Sequence, residues 1–503
     1  MDVPTLMATQ HPDSASRYFS IKDEVEEAVK DVLPHQCGGF GCDEKMIDYE
    51  GKLTPFLQPV WILKRIKELN LDLKVKPGKD FLLSVRCSSF SRESPERHII
   101  SLLSAIMANV MSTKEFNICT VKYIIHPMTL NVYELIGVQR RIIKLSGFAR
   151  EELGLVSDEE ICVIPLVEDI NTMLRINELI ESYITMGRKF LGAYFDHIRV
   201  FLGKSDSALA YGHLTSAVGI KIALSKLWEL ANEMSIGVFP IIGSGTLPFR
   251  GHLSPDNIDL YTKTYLGYYT LTLQTSFRYD YERDKVLRAI DMILSRRGKK
   301  VEVVEYENEL IDSLRTCTLK YLETILRLSD IIIRVSDAVP SRRERVERQV
   351  YGRELGNAVL FTRDENILRL YNIRKVVLPR AIRFTAALYT IGIPPSVIGL
   401  GRAFRDIQSK HVDELLKIYP MLEADIRYDA QFTALNVTRK YVHDKTFTMI
   451  MDDVRVLKDL FDVEFVCEEE YEKLLLDIHE GLIKNKDVSE YMTRAAKIRR
   501  ALG

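Results

Sequence analysis

Two acidic residues, Glu168 in "PLVED" and Asp206 in "GKSDSA", each follow an apolar run of the kind that forms a buried strand. Paired carboxylates at successive strand ends suit a hard divalent ion, Mg2+ or Mn2+, which takes oxygen ligands and completes its shell with water and substrate. A salt-bridge network at a rim would use the same two residues. Arg86 follows "LLSV", His126 follows "VKYII", Lys204 precedes Asp206 by two positions, and Arg278 follows "LTLQTSF". Singly, each is what any strand-to-loop transition shows. The loop "GSGTLPFRG" sets Gly243, Gly245 and Gly251 around Arg250. Glycines let backbone N–H groups approach a phosphate, and a guanidinium grips one with two parallel hydrogen bonds. The spacing is not GxGxxG and no GK[ST] follows, which argues against a nucleotide-binding fold. "VPSRRERVERQVYG" (Arg342, Arg343, Arg345, Arg348) and "LPRAIRFTAALYTIG" (Arg380, Arg383) add further guanidinium groups. Most of the first cluster reads as a solvated helix face, whereas Arg380 opens an apolar helix from which it can reach a buried anion. These groups describe a metal-dependent enzyme for a small phosphorylated, carboxylated substrate. His11, in "TQHPD", stays outside that description, because a lone loop histidine is more often a surface or capping residue than a catalyst.

What must position these groups is a run of alternating elements. Strand-like "DFLLSVRCSSF" precedes helical "ERHIISLLSAIMANVMS", and the pair recurs through "VKYIIHPM", "ICVIPLVED", "HIRVFLGKSD", "IGVFPIIGSG" and "LTLQTSFRYD". Six apolar strands alternating with helices imply parallel pairing through right-handed crossovers, and predict an α/β protein built on a (β/α)8 TIM-type barrel with catalytic groups at the strands' carboxyl ends. The first and last strands of the eight do not show in the pattern. From about residue 305 the texture turns helical, so the expected organisation is a single catalytic unit over 1–503. Most of the barrel, with inserted helices, lies within about 1–304, and a mainly helical part over about 305–503 contributes arginines to the site.

Composition narrows the class. The 503 residues carry 69 Lys+Arg against 70 Asp+Glu, a net charge of −1, which removes the overall basicity expected for nucleic acid or an anionic membrane. No basic-then-apolar leader and no stretch of about 18 uncharged apolar residues is present, so a cytoplasmic location is expected. Seven cysteines, of which only Cys37 and Cys42 in "CGGFGC" are close, form neither a disulfide framework nor a zinc motif.

At this point the residues resemble a family, phosphoenolpyruvate carboxylase of the short archaeal type. "TQHPD" is similar to TAHPT of the long bacterial and plant enzymes, and "GCDEKMIDYEGK" to the archaeal GxDExMWDYEGK. "PLVED" resembles PLFET, "GKSDSA" resembles GYSDSAK, "GSGTLPFRG" resembles GRGGSIGRG, "PSRRER" resembles the GSRPAKRR region, and "PRAI" resembles LRAI. The resemblance implies carboxylation of phosphoenolpyruvate by bicarbonate to oxaloacetate and phosphate, through carboxyphosphate and an enolate. It also implies His11 as the catalytic histidine, Glu168 and Asp206 as ligands of Mg2+ or Mn2+, and a homotetramer. Arg250 and Arg380 become catalytic, and substrate binding falls to Arg86, Lys204, Gly243, Gly245, Arg250, Arg278, Arg342 and Arg380.

The chain departs from the long enzymes in three places. They have a lysine three residues after the metal-binding aspartate where this chain has Leu209, and Lys204 is expected to supply that charge from the other side. Ser244 stands at one of the glycine loop's two arginine positions, and "RRALG" replaces the NTG ending of the inhibitor site, so aspartate or malate inhibition does not carry over. Two other readings compete. A Mg2+-dependent barrel lyase or aldolase acting on another phosphorylated keto acid would use the same carboxylates and loop, but the His11-Pro12 signature and the arginine-rich second half argue against it. A helical binding protein that has lost catalysis would have replaced His11 or the carboxylates.

Overall fold

The computed structural model describes residues 3–17, 19–20, 22–73, 75–305, 308–340 and 352–503. Eight parallel strands close into a barrel: β1 (Leu6–Ala8), β2 (Glu44–Asp48), β3 (Leu82–Arg86), β4 (Val121–His126), β5 (Cys162–Val167), β6 (His197–Gly203), β7 (Gly237–Gly243) and β8 (Thr270–Leu273). Closure is the β1–β8 pairing, with Leu6 opposite Leu271 and Ala8 opposite Leu273. The expected (β/α)8 barrel with many additional helices is therefore the architecture. From Asn308 onward the named elements among the described residues are all helices, led by the 30-residue Asn308–Asp337.

The six strands legible in the sequence are β3 to β8. The two that escape are β1 and β2, adjacent at the amino end rather than first and last. β1 is only three residues long, too short to show a period. β2, "EKMID", is fully buried yet mostly charged, which hides it from any apolar pattern. Its charges are compensated across the structure. Arg199 on β6 donates to Glu44 at 2.9 and 2.7 Å inside the barrel, and Lys45 pairs at 2.6 Å with Asp31 on the helix Asp23–Val32 outside it. A buried ion is tolerated only with such a partner.

Alternation along each strand decides what reaches the mouth. Side chains two apart share a face, and the barrel interior holds Met46 on β2, Leu82 on β3, Leu166 on β5 and Phe201 on β6. Continuing each inward series by two or four residues gives Asp48, Arg86 and Glu168 at the carboxyl ends. Gly203 ends β6 beside Glu168, and a Cβ there would lie 2.8 Å from Glu168 Cγ. Glycine at 203 is what makes room for that carboxylate.

Within the helical part, the helices are locked to one another by buried ions. Asp453, on the helix Asp444–Phe461, accepts from the amides of Gly399 (2.8 Å) and Arg402 (2.9 Å) and from the Arg402 guanidinium (3.0 and 3.1 Å). Asp453→Ala leaves that guanidinium buried without its main anion, and a loss of about 3–5 kcal/mol of stability is expected in urea unfolding followed by circular dichroism. A loss under 1 kcal/mol would show the network to be ornamental. At the other end of the chain, the Leu502 amide donates to the Asp13 carbonyl at 2.7 Å, tying the helical part to the loop after β1.

Candidate active site

The loop "TQHPD" leaves β1 at the barrel mouth, and its neighbours fix it at nearly every residue. Arg278 donates to the Thr9 carbonyl at 2.7 Å, and Lys52 donates to the Gln10 carbonyl at 2.7 Å. The Asp13 carboxylate accepts from the Ser276 amide (2.9 Å) and hydroxyl (2.6 Å) and lies 3.3 Å from Arg250 Nη1. His11 makes one side-chain bond within the loop, with Nδ1 2.8 Å from Thr9 Oγ1. Burial, and then the positive charges of Arg86 and Lys52, hold its imidazole well below the ordinary histidine value. The ring is thus neutral at pH 7 and able to accept a proton.

Around this ring the strand ends build one continuous chain of alternating charge. Lys52 pairs with Asp48 at 2.5 Å. Asp48 accepts two bonds from Arg86, at 2.7 and 2.6 Å. Arg86 also reaches Glu50 at 3.0 Å, and Glu50 accepts from Arg380 at 2.8 Å. Arg380 grips both oxygens of Asp206, at 2.8 and 2.5 Å. Arg353 then closes the series, donating to Glu168 at 2.7 Å with its Nε 3.6 Å from Asp206. Four cations and four carboxylates are joined without a break, all buried except Arg380, which is half-buried.

These contacts pull the acids apart. Burial pushes Glu168 up, the charge of Asp206 adds to the rise, and Arg353 and Arg380 oppose it. Asp206 goes the other way, because Arg380 and Arg353 outweigh its burial and hold it far below the usual carboxylate range. The donor set is two converging carboxylates, and no group of three or more metal-binding side chains occurs among the described residues. Two carboxylates are a minimal oxygen donor set for a hard ion, whose remaining ligands would be water and substrate. Were Mn2+ held by these two carboxylates, binding would require ionised Glu168, so its affinity is expected to fall with falling pH over a range above the ordinary glutamate value of about 4.3. Calorimetry across pH checks this. The limb should vanish in Glu168→Gln, and a limb unchanged by that substitution belongs to another group.

The other expected residues divide. Arg250 is buried in the same layer, donating to Gln274 and Gly503 oxygens at 2.5 Å and to Ser205 at 3.2 Å. Gly243 and Gly245 do not form an open amide cradle. A Cβ at 243 would strike the Phe201 ring at 2.5 Å, one at 245 would meet the Arg250 guanidinium carbon at 2.9 Å, and the Gly245 amide already donates to the Arg250 carbonyl. These glycines make room for side chains. Arg278 corrects the sequence expectation, since its guanidinium is held by Glu27 (3.1 Å) and Asp31 behind the loop and braces Thr9 instead of facing the mouth. Lys204 does so too. Its ammonium donates to the carbonyls of His213 (3.1 Å) and Phe249 (3.2 Å), and the carboxylate it feels is Asp425, while burial lowers it to about 7. It does not supply the charge missing at Leu209. His126 is bonded to Thr129 at 2.8 Å, and burial brings it down to about 3. Arg342, with Arg343, Arg345 and Arg348, lies outside the described residues.

Comparison with known proteins decides what this mouth belongs to. The family model described as phosphoenolpyruvate carboxylase matches residues 3–503. The chain belongs to the phosphoenolpyruvate carboxylase family. Members similar to it include the phosphoenolpyruvate carboxylases of Methanosarcina barkeri (33% identical, covering 99% of both chains) and Methanopyrus kandleri (31%, 93% of this chain and 91% of that one). A third is that of Pyrobaculum arsenaticum, 34% identical over 88% of this chain and 90% of its own. Four residues of this carboxylase mouth went unassigned in the sequence: Asp48, Glu50, Lys52 and Arg353. The first three carried a signal, since Asp48-Tyr-Glu50-Gly-Lys52 alternates charge with period two at the end of a buried segment. Arg353 carried none, being one arginine in a long basic stretch. No helix among the described residues is long and apolar enough to cross a membrane.

Proposed function

We propose that this protein carboxylates phosphoenolpyruvate with bicarbonate, giving oxaloacetate and phosphate, in the charge-lined mouth of its barrel. The observation that carries the residue assignment is the unbroken chain from Lys52 to Glu168, which places four cations and two convergent metal-type carboxylates beside a neutral histidine. A lyase or aldolase of another phosphorylated keto acid has no support from the family match.

In this reading Glu168 and Asp206 would hold Mg2+ or Mn2+, which would supply Lewis-acid stabilisation of the developing enolate charge. Arg86, Arg250 and Arg380 bind the oxyanions and keep the phosphoryl group in line with bicarbonate. A bicarbonate oxygen bonds to phosphorus while the enol oxygen leaves, giving carboxyphosphate and the pyruvate enolate. In the tautomer whose Nδ1–H donates to Thr9 Oγ1, His11 Nε2 is the ring nitrogen that takes the carboxyl proton, and the bond to phosphate breaks to release CO2. The enolate carbon then bonds to CO2. Burial of the charge chain excludes the water that would protonate the enolate to pyruvate. The helices beyond residue 304 belong to the same catalytic unit through Arg353 and Arg380, and a cytoplasmic homotetramer accords with this reading.

The test is oxaloacetate formation from phosphoenolpyruvate, Mg2+ and bicarbonate, read through malate dehydrogenase and NADH. Signal that needs both metal and bicarbonate is the expected result. Pyruvate without oxaloacetate would leave the phosphate site standing and remove the carboxylation geometry, and no consumption of phosphoenolpyruvate would remove both.

A further inference from the structure

Arg353 and a divalent ion need the same oxygens. Arg353 Nη2 donates to Glu168 Oε2 at 2.7 Å, its Nε stands 3.6 Å from Asp206 Oδ1, and that Nε has no hydrogen-bond partner. Arg380, by contrast, makes three bonds of 2.5 to 2.8 Å to Asp206 and Glu50. Of the two guanidinium groups on the metal carboxylates, Arg353 is therefore the one held less completely. Its backbone is fixed, because its amide donates to the Leu378 carbonyl at 2.8 Å and its carbonyl accepts from the Leu378 amide at 3.0 Å. That bridge leaves only the side chain to move. Beside it lies a cavity of about 120 Å³ whose lining includes Glu168, Arg353, Tyr211, Asn357 and, at the rim, the exposed Arg92. The cavity gives the guanidinium a place to go and an anion a route to meet it.

We propose that Arg353 is the cation which the divalent ion displaces from Glu168 and which is thereby handed to an oxyanion of the substrate. The inference rests on Glu168 and Asp206 being the metal ligands. Metal and substrate then load as a pair: the ion frees Arg353, and the oxyanion keeps it from returning to compete for the carboxylate. Linkage makes the help mutual, each ligand raising affinity for the other by the same factor. Arg353 is in this sense a substrate-binding residue that doubles as a gate on metal entry.

The two roles predict effects of opposite sign, which no purely structural role does. The measurement is Mn2+ binding to substrate-free protein at pH 8, read from the spin-resonance signal of free Mn2+, together with KM for phosphoenolpyruvate at saturating Mn2+. Arg353→Met should bind Mn2+ on the order of tenfold more tightly while KM rises by at least about tenfold. Arg353→Lys, which keeps the charge on a shorter reach and guards against a folding artefact, should lie between it and the parent in both. Mn2+ affinity unchanged or weakened in a folded Arg353→Met protein overturns the proposal. Tighter Mn2+ with unchanged KM overturns the hand-over to substrate. Glu168→Gln separates the underlying assignment: if that variant binds Mn2+ as the parent does, the metal site itself is misplaced, whereas lost binding there with no effect at 353 sinks this inference alone.

Discussion

His11→Asn should lower turnover by about 10²–10⁴-fold, the range a positioned general base contributes, while KM for phosphoenolpyruvate changes only a few-fold. Asparagine keeps a polar group near Thr9 and fits the same space, so the loop held by Arg278, Lys52 and Ser276 should keep its shape. What it cannot do is accept a proton. Burial first, and then the charges of Arg86 and Lys52, keep the imidazole neutral and ready. The comparison to make is kcat by the coupled oxaloacetate assay on both proteins at saturating bicarbonate. A variant retaining more than about a tenth of the parent turnover would move the base elsewhere.

Asp206→Asn should cost more than any arginine. It removes the charge from one of the two proposed ligands and leaves a single oxygen where Arg380 grips two. Stabilisation of a developing enolate by a bound ion is worth several kcal/mol, and about 4 kcal/mol corresponds to roughly 10³-fold. The expected result is a fall of that order in kcat/KM, with Mn2+ saturation moved to much higher concentration. Folding should survive, since Arg380 keeps its 2.8 Å bond to Glu50. Undiminished Mn2+ affinity in a folded Asp206→Asn protein would exclude Asp206 as a ligand.

Legibility in the sequence followed polarity. β3 to β8 are read easily because their interiors are apolar runs between helices. β2 is invisible because burial there is achieved by ion pairs, Glu44 with Arg199 and Lys45 with Asp31, and a pattern of charges reads as surface. The same property hid half of the site. Glu168, Asp206 and Arg380 stand just beyond apolar runs, where the pattern points to them as candidates; Asp48, Glu50 and Lys52 belong to the charged segment, which it passes over. Residue type also misled where the partner decides the role. Arg278 and Lys204 have the chemistry to bind a phosphate, but Glu27 and Asp31 hold one and backbone carbonyls hold the other. No one-dimensional pattern specifies which arginine meets an anion of the protein and which meets an anion of the substrate.

The β1–β8 closure and the bond from the Leu502 amide to Asp13 set a timetable for biosynthesis. The loop bearing His11 leaves the ribosome about 490 residues ahead of the residue that ties it down. At about 5–20 residues per second this gap is roughly 25–100 s. For the first part of that interval, until β8 emerges, β1 has an unpaired edge, and the charged β2 waits for Arg199. A nascent chain of this protein should therefore depend on chaperones that shield open strand edges, and acquire activity as a late, all-at-once event.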